Sequence, residues 1–190
     1  MGRKKAALGR QMDGKDVGVS EFARASIDID REEFLGLVLG AFGGALEDTV
    51  GRAEASGFIA LVGMAVSEEL KARYLRAAGT KRLDLRATLE AMIDLKRRLG
   101  GDFHIIEQTP RRIVLGNRRC PFGDLAKKSP SMCAVTSNVF GHMVAESQGY
   151  GRITLADTIA RGASGCRIVI DLDPDAADEG GQAYFGTGAL

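Results

Sequence analysis

The hydrophobic period of this 190-residue chain first changes at Gly100-Gly101. Before that point apolar residues recur at steps of three and four; after it they alternate in short runs. Helices first and strands afterwards predict an α+β domain, with a long N-terminal helical hairpin and further helices packed on a small antiparallel sheet of about four strands. Asp30 with Glu32 and Glu33 suits a helix start, where carboxylates meet free amides and the positive end of the dipole. Phe34, Leu37, Val38, Ala41, Phe42, Ala45 and Leu46 carry the period on to about Ser56, and Gly57 is expected to break it. Gly36, Gly40, Gly43, Gly44 and Gly51 weaken such a helix unless something approaches closely: another helix, a dimer mate or a ligand.

A second helix is expected over 58–78, ending near Gly79. Asp84 caps a third, whose buried side carries Leu85, Leu89, Met92, Ile93, Leu95 and Leu99. Lys96, Arg97 and Arg98 fall in its last turn, at the negative end of the dipole, which accounts for them without a nucleic acid. Strands follow at 103–107 and 112–115 around a Thr109-Pro110 turn. Cys120-Pro-Phe-Gly123 must be a loop, because proline lacks the amide a central strand needs. A helix begins near Pro130 and runs to Gln148-Gly149, and strands at 153–159 and 166–172 close the domain as a hairpin. The domain spans 28–174. Residues 1–27 read as a disordered, mildly basic leader and 175–190 as a disordered acidic and glycine-rich tail.

A net charge of +1 gives no basic field for nucleic acid and no acidic one for cationic partners. No run reaches the roughly 18–20 apolar residues of a membrane span, so the chain reads as cytoplasmic. In a reducing compartment three cysteines are poor material for structural disulfides, leaving buried thiols, a metal site or a redox switch. Gly36–Gly44 lacks the Gly-Lys-Ser/Thr end of a phosphate loop, and Ser131 and Ser164 lack a nucleophile elbow. No catalytic residue is assigned, and a non-enzyme is expected.

Cys120, Cys133 and Cys166 all fall between Asn117 and Asp171, each where a loop meets a regular element. Thiolates bind soft centres, and three can hold zinc or an iron–sulfur cluster with one position open. The alternative is that all three are small buried hydrophobes. His104, Glu107, Asp124, His142 and Glu146 are the candidates for a fourth ligand. Arg111-Arg112 and Arg118-Arg119 read as a solvated hairpin edge.

Cys120-Pro-Phe-Gly123, Ser129-Pro-Ser-Met-Cys133, Asn138-Val-Phe-Gly141 and Gly165-Cys-Arg-Ile-Val-Ile-Asp171 resemble the pattern of the methanogen output domain and the related 4-vinyl reductase-type sensor domains. The cysteine pattern is also similar to the C-terminal half of iron–sulfur-assembly repressors. The resemblance implies an α/β sensor or output module of bacterial or archaeal signal transduction or transcriptional regulation, often a homodimer and with a possible regulatory protein partner. Cys120, Cys133 and Cys166 take the cysteine positions of that pattern and so become metal ligands, with zinc or an iron–sulfur cluster as cofactor. No winged helix-turn-helix fits before residue 30, so direct nucleic-acid binding is not expected. A second reading is a binding domain that encloses an apolar small molecule and keeps its cysteines structural.

Overall fold

The computed structural model describes residues 29–123, 125–128, 132–176 and 180–187. The leader at 1–27, the helix start at Pro130 and the candidate ligand Asp124 lie outside the described residues. Helices α1 (Arg31–Val50), α2 (Arg52–Ala78) and α3 (Leu85–Arg98) precede strands β1 (Phe103–Gln108) and β2 (Arg112–Asn117). The short α4 (Leu125–Lys128) and the long α5 (Met132–Gln148) follow, then β3 (Tyr150–Asp157), a 3-10 turn at Ile159–Arg161, β4 (Cys166–Asp171) and β5 (Gln182–Phe185). The α+β class holds. No described helix is long and apolar enough to cross a membrane.

Both expected caps form. Asp30 accepts a hydrogen bond from the Glu33 amide and Asp84 one from the Ala87 amide, each at 2.8 Å. The break between the first two helices is at Gly51 and not at Gly57. Gly51 has φ +85° and ψ 160°, a conformation L side chains rarely adopt, whereas Gly57 lies inside α2 with open space where a Cβ would be.

The sheet has five strands in the order β1-β2-β4-β3-β5, every pair antiparallel. The fifth corrects the expectation of a disordered 175–190, because β5 pairs with β3 from Tyr150↔Phe185 to Ile153↔Gln182. Four residues are too few to show a period. What holds them is packing: Tyr184 lies over Gly141 of α5, and its hydroxyl is 3.3 Å from that of Ser137.

Helix α5 is the centre of the core, with ten of its 17 residues buried, so it is packed on almost all sides rather than along one stripe. The sheet covers it from one direction through Ile153, Ile168 and Ile170, and α3 adds Leu89, Met92 and Leu95. Helix α2 crosses it closely where Gly63 meets Asn138; a Cβ on Gly63 would stand 2.5 Å from the Asn138 Cβ. The Ser67 hydroxyl donates to the Val139 carbonyl at 3.4 Å beside that crossing. The close approach predicted from glycine content therefore occurs on α2, while on α1 only Gly43 is buried.

Two alanine substitutions in α2 separate these roles. Gly63→Ala is expected to cost about 1–3 kcal/mol, the range for overpacking, and Gly57→Ala to stabilise by about 0.4–1 kcal/mol. Chemical denaturation of both variants checks the crossing: equal effects would contradict it.

Candidate thiol site

Strand register brings the three cysteines to one end of the sheet. β2 and β4 pair so that Asn117 faces Cys166, and β1 and β2 pair so that Phe103 faces Asn117. The chain leaves β2 into the turn at Cys120-Pro-Phe-Gly123, where the Gly123 amide donates to the Cys120 carbonyl at 3.1 Å. Cys133 enters from the first turn of α5. All three line a single cavity of about 30 Å³, closed by Phe103, Phe122 and Thr136. That is room for one or two water-sized bodies.

Backbone and side-chain N–H groups are aimed at two of the sulfurs. Cys166 Sγ accepts from the Ile159 amide at 3.5 Å and from Asn117 Nδ2 at 3.8 Å. Asn117 is itself buried and fixed, its Oδ1 accepting from the Asp102 and Arg119 amides at 3.0 and 3.2 Å. The amides of Phe122 and Gly123 act on Cys120 in the same sense, favouring its thiolate. Burial opposes them. It raises the Cys120 thiol above its usual range and pushes Cys133 up to about 11, with the neighbouring Cys120 and Cys166 adding to the second shift.

The fourth group of the site is Lys96, 3% exposed. Its Nζ donates to Thr136 Oγ1 at 2.8 Å and lies 5.2, 5.6 and 5.8 Å from the ring centres of Phe140, Phe103 and Phe122. Cation–π attraction and one hydroxyl replace water there. No carboxylate among the described residues forms an ion pair with it. Burial lowers its pKa to about 8, and the three cysteines, which favour the ammonium in their thiolate form, act against that shift. The acidic groups that act on this buried amine are thus thiols.

Lys96, Arg97 and Arg98 do fall in the last turn of α3, but the burial of Lys96 goes beyond what the helix dipole accounts for. The signal was available: Lys96 follows Leu89 by seven residues and Met92 by four, which places it on the buried stripe of α3. Arg97 and Arg98 do face solvent, and Arg98 pairs with Asp94 at 2.6 Å.

Of the candidates for a fourth ligand, the four among the described residues do not line the cavity. His104 and Glu107 are on β1, His142 stacks edge-on against Tyr184 at 5.2 Å, and Glu146 binds Lys71 at 3.3 Å at the far end of α5. Arg111 and Arg112 pair with Asp173 and Asp171 at 3.4 and 3.8 Å, as a hairpin edge would.

The donor set suits a soft ion: three sulfurs, room for a single ion, and a cation to balance the charge of three thiolates around a divalent metal. Its spacing does not match a bound ion. Among the described residues no group of three or more Cys, His, Asp or Glu side chains is arranged to hold a metal, and the cysteines are free thiols.

No curated protein matches the chain. Among solved structures, subunit 3 of the trafficking protein particle complex from Naegleria fowleri, covalently bound to palmitic acid, matches at 14% identity and a TM-score of 0.49, covering 74% of this chain and 96% of that one. The sequence model of methanogen output domain 1 matches residues 38–171. That span includes the helical hairpin from Val38 onward, the thiol site and four of the five strands, and the chain belongs to the methanogen output domain 1 family.

Proposed function

We propose that this chain is a cytoplasmic, non-catalytic sensor or output domain of signal transduction or regulation, whose stimulus is a single soft divalent cation such as zinc taken up by Cys120, Cys133 and Cys166. The observation that carries this reading is the convergence of three thiols from three elements on one small cavity with Lys96 buried beside it. Three thiolates around a divalent ion leave one net negative charge, which one ammonium neutralises. The size of the cavity favours a single ion over an iron–sulfur cluster. Each thiol that binds gives up its proton, so uptake releases acid.

Because the sulfurs are gathered but not at ligand spacing, binding has to draw them together. Of the three cysteines only Cys120 lies outside helix and strand, in the turn Cys120–Gly123. That turn also walls a cleft of about 760 Å³ against Leu35, Leu39 and Gly40 of α1. Metal uptake would therefore reshape the surface between the thiol site and α1, converting occupancy into an altered partner face.

The occupant of that face is, in this reading, a second copy of the chain. Helix α1 exposes Phe34, Leu39 and Phe42 at 55, 52 and 71%, and α2 exposes Phe58, Leu61 and Val62 at 53, 60 and 56%. With only Gly43 of its 20 residues buried, α1 is an apolar helix laid on the outside of one protomer. A contiguous apolar surface of this kind marks an interface, and a paired helix hairpin would cover both helices at once.

Protein purified without oxygen and dialysed against zinc should hold about one zinc per chain by elemental analysis, and serine at any one of the three cysteines should abolish stoichiometric retention. Chains that stay metal-free would refute the metal reading.

Lys96→Met separates the two roles of the lysine. In metal-free protein it removes a buried charge that lacks a carboxylate partner and should stabilise by about 1–2 kcal/mol. It should also weaken zinc binding by about 10–100-fold, the scale of groups that support metal ligands. A variant that is destabilised and binds zinc normally would contradict the charge-balancing role.

Light scattering should give twice the chain mass for the wild type and a single-chain mass for Phe42→Glu combined with Leu61→Glu, with helicity unchanged. A monomeric wild type at tens of micromolar would rule out the dimer.

A further inference from the structure

At the opposite end of α5 from the thiols lies an open cleft of about 440 Å³ between α2, α3, the end of α5 and the residues after β5. Its apolar surface comes from Leu75, Leu83 and Met143, and its charged rim from the Lys81-Arg82 segment that links α2 to α3. Thr88 also lines it, and this residue is 1% exposed with a hydroxyl that has no hydrogen-bond partner among the described residues. A buried unpaired hydroxyl costs stability, so its persistence at a cleft wall points to a partner that arrives with a ligand.

The charges around the cleft are unequal. Glu146 is the acid in its wall, and that carboxylate is committed: one oxygen faces Lys71 Nζ at 3.3 Å and the other accepts from the amide and hydroxyl of Thr187, both at 2.9 Å. Hydrogen bonds from the Thr187 amide and hydroxyl, and then Lys71, hold its pKa below the usual carboxylate range. Arg82 spends one N–H on the Ser147 carbonyl at 2.7 Å, which fixes the guanidinium at the rim while leaving its other donors. Lys81 is exposed and has no ion pair among the described residues. Free carbonyls at the end of α5 would repel an anion, but those of Ala145, Ser147 and Gly149 are taken by Gly149, Arg82 and Gly186.

We infer that this cleft binds a small organic acid, with its apolar body on Leu75, Leu83 and Met143, its carboxylate on Lys81 and Arg82, and a hydrogen bond to the Thr88 hydroxyl. The inference does not depend on metal at the thiols. Because α5 carries Cys133 in its first turn and Met143 and Ser147 toward its last, an acid bound here would share one rigid element with the thiol site.

Amide and methyl NMR of the full chain, titrated with phenylacetate and with octanoate, tests the site. At least one acid should shift Thr88, Met143 and Thr187 saturably. The matching alcohols, which lack the charge, and acetate, which lacks the apolar body, should bind at least about tenfold more weakly, the worth of one charged hydrogen bond. Lys81→Glu should weaken the acid by a similar factor with the melting temperature unchanged. Thr88→Val should weaken it too while leaving the fold intact or more stable. Absence of saturable shifts with both acids, equal binding of acid and alcohol, shifts confined to α1, or unchanged binding to both variants would each overturn the inference.

Discussion

The tight enclosure of α5 is the constraint on which the rest of the structure depends. Three glycines permit it: Gly63 admits α2 at Asn138, Gly141 admits the ring of Tyr184, and Gly151 lies where a Cβ would be 2.7 Å from Val144. A side chain at any of these positions would push a layer away from the helix. With all layers in place, α5 carries Cys133 and Thr136 to the end of the sheet where Cys166 begins β4, and carries Met143 to Ser147 against the α2–α3 link. Two chemically different places are thus built on one buried rod.

At the first of these places electrostatics and packing pull in opposite directions. An ammonium confined by three phenyl rings is desolvated, and cation–π contacts and a threonine hydroxyl offset only part of that cost. Natural cores fill such positions with leucine or methionine unless the charge has a task. Here the acidic groups that act on it are the three cysteines, two of which also receive N–H donors. An arrangement that supports anionic sulfur while burial keeps the thiols protonated is poised for something that displaces protons, and a divalent metal does so. The stability given up at Lys96 is then the counterpart of affinity for a charged occupant.

Periodicity and caps made much of the fold legible in the sequence. The change of period at Gly100-Gly101, the caps Asp30 and Asp84 and the Thr109-Pro110 turn all carry local signals strong enough to survive folding. The Gly51 break was hidden because nothing local distinguishes it from Gly57; only the backbone path makes one of them indispensable. β5 was hidden because its four residues owe their order to Tyr184 meeting Gly141 across the structure. For the site, three cysteines at loop ends were visible, but their convergence follows from strand register, which no spacing rule reports. Lys96 was visible as a charge on the apolar stripe of α3 and was explained away by its place near the helix end.

The central claim is that Cys120, Cys133 and Cys166 bind one ion together, with Lys96 balancing its charge. X-ray absorption at the zinc edge of the zinc-loaded protein reads this directly. The account predicts a first shell dominated by three sulfurs at about 2.3 Å with no metal–metal scattering. A shell of nitrogen and oxygen alone, or of one sulfur, would contradict it.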